Sequence, residues 1–124
     1  MCGRKNETAY LADMVEACER VIVFASGVAD DDLMDRSAPL RGAVLHQLTI
    51  LGEAAKYIDD ERRLVWPTIP WADMTGMRDK LVHYYKGIDD EMVCLTIRTS
   101  IPEVLPQLRS MLAEMDAERD GGVS

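Results

Sequence analysis

SAPLRGAVLHQLTILGEAAKYI, residues 37–58, is the stretch whose reading decides the fold. Ser37 with Pro39 offers a helix start, because a proline in the first turn gives up an N–H that has no intrahelical partner. From there Leu40, Val44, Leu48, Leu51, Ala55 and Ile58 recur at steps of three or four, the period of one helix face. Leu45, Ile50 and Ala54 widen that stripe beyond the needs of a lone surface helix. The excess predicts a second packing surface, such as a dimer interface.

Working outward, Leu11, Met14, Val15, Cys18, Val21, Ile22 and Ala25 form another helical stripe over residues 8–25, with Thr8 or Asn6 to cap it and Gly27 to end it. On the other side, VWPTIPW at 65–71 holds two prolines and cannot be helix interior, so it reads as a loop anchored by Trp66 and Trp71. A third helix is expected from Trp71 or Ala72 to Lys86, with Met74, Met77, Leu81 and Tyr84 or Tyr85 as its apolar line and Gly87 as its C-cap. A fourth starts near Asp89 and passes through Met92, Val93 and Ile97. Pro102 would clash with the carbonyl of Arg98 in a straight helix, so a break is expected there. Ser100 and Glu103 have capping-box spacing for a fifth helix through Leu105, Leu108 and Leu112, and Pro106 leaves its start open. Beyond Asp116 the chain is polar and reads as frayed. The fold class is therefore all-α, an up-and-down bundle of roughly four to five helices, with one domain over residues 1–116 and a flexible polar tail over 117–124.

Composition narrows the function classes. At 124 residues there is room for one core, and eight methionines against one phenylalanine suggest an adaptable helical one. No run approaches the roughly 18 apolar residues that span a bilayer, so a cytoplasmic protein with no membrane partner is expected. Cys2, Cys18 and Cys94 lack CxxC spacing, and neither His46 nor His83 has a Glu three residues before it, so neither a zinc site nor a di-metal carboxylate site is expected. No cofactor motif is present either. The net charge of −8 disfavours non-specific nucleic-acid binding. Much of that excess sits at Asp30, Asp31, Asp32 and Asp35 and in residues 114–120, which leaves a locally basic cleft around Arg78, Lys80 and Lys86 open.

GMRDKLVHYYKG, residues 76–87, carries the chemistry: a fixed cation, a titratable imidazole and a phenol. Histidine exchanges a proton near neutral pH and arginine stabilises charge on a phosphate, a pairing suited to phosphodiester chemistry. On a helical wheel Arg78 and Tyr85 share a face while His83 is turned by about 140° from Arg78. A long arginine side chain, a frayed helix end, or a second copy across a two-fold axis could close that gap. Asp79 lies four residues before His83 and could orient the imidazole. The plainer alternative is a partly buried histidine and a solvated arginine. Arg41 and His46 repeat the Arg-x4-His spacing without the following x-Tyr, so spacing alone is a weak signal, and His46 reads as structural. Glu53, on an otherwise apolar helix, could pair with Arg78 or Lys56, line the cleft, or stand solvated at a helix edge.

Three segments in order, Leu51-Gly52-Glu53-Ala54-Ala55-Lys56, Ile69-Pro70-Trp71 and Met77-Arg78-Asp79-Lys80-Leu81-Val82-His83-Tyr84-Tyr85, resemble the HepT-like ribonucleases of the HEPN superfamily over roughly residues 8–115. The full Arg-x4-His-x-Tyr signature in that context is far more specific than the bare spacing. The resemblance implies a homodimer with two motifs at a shared cleft and a metal-independent endoribonuclease acting on RNA such as tRNA or mRNA. It assigns Arg78 to the scissile phosphate and His83 to proton transfer, with Asp79, Glu53 and Lys80 in support. It further implies a toxin of a type VII-like toxin-antitoxin pair, neutralised by a nucleotidyltransferase antitoxin that adenylylates Tyr85, and a higher assembly of the homodimer with that antitoxin. A reading from another class competes with this: a non-catalytic helical binding module that presents Tyr85 to a nucleotidyltransferase partner. A weaker third has the chain help such a partner bind its substrate.

Overall fold

The computed structural model describes residues 2–84 and 87–123, with side chains from Glu7 to Tyr84 and from Gly87 to Glu118. Helix α1 (Cys2–Ala25) is followed by α2 (Asp30–Leu33), α3 (Pro39–Ala55), α4 (Asp60–Val65), α5 (Trp71–His83), α6 (Asp90–Leu95), a π-helical turn (Thr96–Ser100) and α7 (Ile101–Val123). The described residues are all-α. The long members match the expected bundle, while the short α2 and α4 fold within connections that the sequence reading leaves irregular.

Pro39 stands in the first turn of α3 as expected, and Val44, Leu45, Leu48, Leu51, Ala54 and Ala55 are buried. The wide apolar surface of α3 is consumed within the protomer, because α3 packs against both α1 and α5. Leu45 and Ala54 are thus core residues, and the width of the stripe no longer points to a dimer. Helix α1 runs antiparallel to both α3 and α7. Its start meets the end of α3, where Asp59 N–H donates to Glu7 Oε2 at 2.7 Å, and its end meets the start of the last helical stretch, where Arg98 donates to the carbonyl of Ala25 at 2.8 Å.

Two helix ends differ from expectation. α1 begins at Cys2, upstream of Asn6 and Thr8, so neither residue caps it. The buried Glu7 carboxylate, only 3% exposed, draws this segment onto the turn after α3. Gly27 does end α1, at φ +73°, a left-handed conformation that glycine adopts without a Cβ clash.

The break expected at Pro102 is absent. Helix continues from Asp90 to Val123 through the π turn Thr96–Ser100, so Ser100 is no N-cap and the expected fifth helix is the continuation of the fourth. A π turn inserts an extra residue into the ladder, which relieves the missing donor and the ring crowding of the proline that follows. Asp89 opens this stretch, its carboxylate accepting from the N–H groups of Glu91 and Met92. Arg98, on the π turn, donates to the carbonyls of Ala25 and Val28 and pairs with Asp30, satisfying acceptors at the end of α1. Pro106 is tolerated inside α7, and the helix runs on to Val123, past the Asp116 at which the sequence reads as frayed.

The two tryptophans anchor their loop as expected: Trp71 is buried and its indole N–H donates to the Trp66 carbonyl at 3.1 Å. Arg63 of α4 lies over the Trp71 ring and donates to the carbonyls of Ala55 and Ile58, closing the end of α3. No helix among the described residues is long and apolar enough to cross a membrane.

Where α3 crosses α5, Gly52 has no room for a side chain. A Cβ there would run into the Cβ of Arg78 and lie 2.5 Å from the backbone oxygen of Met74. Gly42, on the same helix, faces open space. Gly52→Ala is therefore expected to lower stability by about 1–3 kcal/mol through overpacking. Gly42→Ala should raise it by roughly 0.5–1 kcal/mol through helix entropy. Urea denaturation of the two variants checks the opposite signs.

Candidate active site

Trp71, Met74 and Leu81 are the buried residues of α5, and Arg78 falls on the same face. Its side chain therefore leaves α5 against Gly52 of α3. Glu53 follows Gly52 in sequence and meets the guanidinium, with Nε 2.7 Å from Glu53 Oε2. Both atoms are shut off from solvent, and the N–H is not aligned with the oxygen, so this is a charge contact without a hydrogen bond. The other arm of Arg78, NH1, donates to Asp79 Oδ1 at 3.1 Å, and that same oxygen accepts from Lys56 Nζ at 2.6 Å. Two acids and two bases from α5 and from the end of α3 with its cap residue thus alternate across one crossing: Glu53, Arg78, Asp79, Lys56.

The hydrogen bond from Lys56, and then that from Arg78, hold the Asp79 carboxyl below the usual carboxylate range. Asp79 is accordingly committed to two cations and makes no bond to His83, contrary to the orienting role read from the four-residue spacing. Proximity on a wheel lost to two charged partners within reach.

His83 is the last residue of α5, exposed, and makes no hydrogen bond or ion pair with another described residue. Helix α5 stops there instead of at Lys86. Tyr84 leaves helical geometry at φ −122° and ψ 39°, although its N–H still bonds the Lys80 carbonyl, so Gly87 is not the C-cap. The motif's Tyr85, and Lys86 of the expected basic cleft, lie outside the described residues. Lys80, two residues on from Arg78, instead lines a groove of about 420 Å³ together with Met77, Met92, Leu95 and Ile101. The structure thus brings Glu53, Arg78 and Asp79 together, adds Lys56, and puts Lys80 elsewhere.

The second Arg-x4-His pair separates cleanly. Arg41 is 3% exposed and its NH2 pairs with Asp90 Oδ1 at 2.8 Å, tying α3 to α6, while His46 is exposed. There Arg41 alone serves packing, and His46, read as structural from the sequence, stands at the surface instead. Cys18 is a core residue, its thiol pushed up to about 12 by burial, and Cys94 is half-buried. Among the described residues no group of three or more His, Cys, Asp or Glu side chains is placed to hold a metal ion.

The link from Lys56 to Asp79 can be tested by titration. The Asp79 carboxyl, followed by NMR, should titrate below the ordinary carboxylate range, and Lys56→Met should move its midpoint back up. Because the folded value is depressed, the contribution of this contact to stability is present above the ordinary range and fades as the pH falls through the depressed value. An unchanged midpoint in Lys56→Met would mean that the contact does not govern the charge of Asp79.

Known proteins extend this picture. Residues 14–111 match the Ribonuclease HepT-like family. The chain is 35% identical over 102 residues to the probable ribonuclease HepT of Thermococcus cleftensis, covering 82% of this chain and 91% of that one. It is 33% identical over 108 residues to a Caldanaerobacter subterraneus protein named as a candidate RNase, covering 87% and 96%. A Methanocaldococcus jannaschii protein named in the same way is 31% identical over 102 residues, covering 82% and 93%. No solved structure shows a significant match. With about four fifths of its length matched and an all-helical bundle around the Arg78 crossing, the chain belongs to the HepT-like ribonuclease family, within the HEPN superfamily.

Proposed function

We propose that this ribonuclease is a metal-independent endoribonuclease toxin whose phosphate-binding residue is Arg78 and whose proton-transfer residue is His83. The observation that carries this is the pairing of a held arginine with an uncommitted, exposed imidazole at the end of the same helix. Arg78 is oriented by Glu53 and by its packing against Gly52, so a phosphate that replaces Asp79 on its other arm meets a guanidinium already in place. His83 spends no bond elsewhere and is open to substrate.

In the reaction, an imidazole removes the proton of a ribose 2′-hydroxyl, and the oxygen attacks the adjacent phosphorus. The bond to the 5′-oxygen breaks, and that oxygen takes up a proton. The products are a 2′,3′-cyclic phosphate and a 5′-hydroxyl. Arg78 offsets the charge that builds on the non-bridging oxygens. A homodimer would supply two imidazoles to one cleft, one to accept the proton and one to donate it. With α3 buried against α1 and α5, the surface left for a second copy lies beyond that helix, where Val82, Tyr84, Met92 and Leu95 are exposed apolar residues. The substrate class is tRNA or mRNA, and the partner is a nucleotidyltransferase antitoxin that adenylylates Tyr85. The added nucleotide would bring bulk and negative charge, which repel RNA phosphates.

One observation favours the competing reading of a non-catalytic binding module: the charge of Arg78 is already balanced by two carboxylates. Purified protein with its intact mass checked for a nucleotide adduct, incubated with mixed tRNA and mRNA in EDTA, separates the two. Cleavage is expected to survive EDTA and to fall by roughly 10²–10⁴-fold in His83→Ala and 10²–10³-fold in Arg78→Ala. Cleavage unchanged in both variants would sink the assignment of the site. No cleavage by unmodified wild type would favour the binding module.

A further inference from the structure

One exposed aromatic is held more firmly than an exposed side chain needs to be. Tyr57 is 52% exposed, yet its ring lies on that of Tyr10 with centroids 4.4 Å apart and planes 13° from parallel. The turn that carries it is pinned from both sides. Glu7 of α1 accepts the Asp59 N–H, and Arg63 of α4 holds the carbonyls of Ala55 and Ile58. Tyr10 is itself packed against the core, so the stack is backed by the interior.

Along the chain this ring is next to the candidate active site, just past the end of α3 where Glu53 and Lys56 stand. Tyr57 follows Lys56, whose ammonium reaches Asp79 at 2.6 Å, and Asp79 touches Arg78. Tyr57 also falls about one helical turn beyond Glu53, the residue that meets Arg78, so an RNA strand held at Arg78 can extend toward the aromatic face. Unpaired bases stack on such faces, because every base offers a π surface, and a rigid platform lowers the entropy lost on binding.

We infer that Tyr57, backed by Tyr10, is a stacking platform for an unpaired base of the RNA flanking the scissile phosphate at Arg78. The inference rests on the ribonuclease reading above and deepens it: the preferred substrate is single-stranded or looped RNA, held by one splayed base.

The test uses His83→Ala protein, which binds without cutting, and fluorescein-labelled single-stranded RNA followed by anisotropy. Tyr57→Ala in that background should weaken binding by roughly five- to 100-fold, the loss typical of one stacked base. Tyr57→Phe, which keeps the ring, should stay close to the parent. A series of RNAs with an abasic ribose moved along the strand should show one position at which the parent loses affinity and Tyr57→Ala does not. In the cleaving protein, Tyr57→Ala should raise KM while leaving kcat nearly unchanged, whereas damage to the Arg78 cluster would lower kcat. Equal affinity of Tyr57→Ala and parent overturns the platform, as does a loss in Tyr57→Phe equal to that in Tyr57→Ala. Should the parent bind no RNA, it is the ribonuclease site reading that fails.

Discussion

The approach of α3 to α5 at Gly52 is the constraint on which the rest of the site depends. Two helices come so close there that one carries no side chain, and the facing surface is backbone and a Cβ, neither of which can yield. Because Arg78 supplies that Cβ, its guanidinium emerges at the crossing itself, one residue along α3 from Gly52, where Glu53 stands. One turn further on, Lys56 reaches Asp79. The position of the Arg78 guanidinium, the proposed phosphate-binding group, is thus set by close packing of backbones more than by the ion pairs around it. Those pairs then orient a group that packing has already placed.

The sequence revealed the helices whose apolar period is regular and misjudged the places where a local rule met a tertiary one. Leu40, Val44, Leu48, Leu51 and Ala55 predicted α3 because nothing competes with their period. Pro102 was read as a stop because it cannot sit in an α-helix without cost, yet burial of Ile97, Ile101, Val104 and Leu108 favours one continuous face. The chain meets both demands by inserting a π turn, an outcome that propensity does not encode. The breadth of the α3 stripe was legible as a second packing surface, but a one-dimensional pattern cannot say whether the neighbour is another helix of the same chain or another copy.

At the site, residue types were legible and pairings were not. Arg78, Asp79 and Glu53 were identifiable from the motif and its surroundings, and one of the pairings left open for Glu53, with Arg78, is the one formed. The expected contact of Asp79 with His83 failed because helical spacing lists neighbours on one element only. Lys56 comes from the end of α3, just past its last residue, and, being charged and within reach, takes the carboxylate. Tyr57 carried no signal at all, since its meaning depends on Tyr10, 47 positions earlier in the chain.

The balance of charge at the crossing bears on how an acidic protein can act on RNA. With a net charge of −8, long-range attraction to a polyanion is lacking, and affinity must come from short-range contacts. Arg78 enters that contest flanked by two carboxylates that a phosphate would have to outbid. Asp79 is the weaker obstacle, because it is half exposed and shared with Lys56, so a phosphate could take its place on Arg78 while Lys56 keeps the carboxylate. Glu53 meets Arg78 through atoms closed to solvent and without hydrogen-bond alignment, so it stays as the group that sets the orientation of the guanidinium. On this arrangement the electrostatic gain from RNA would be small, and an uncharged source of affinity, such as the base stacking proposed for Tyr57, would be the contribution that lets binding occur.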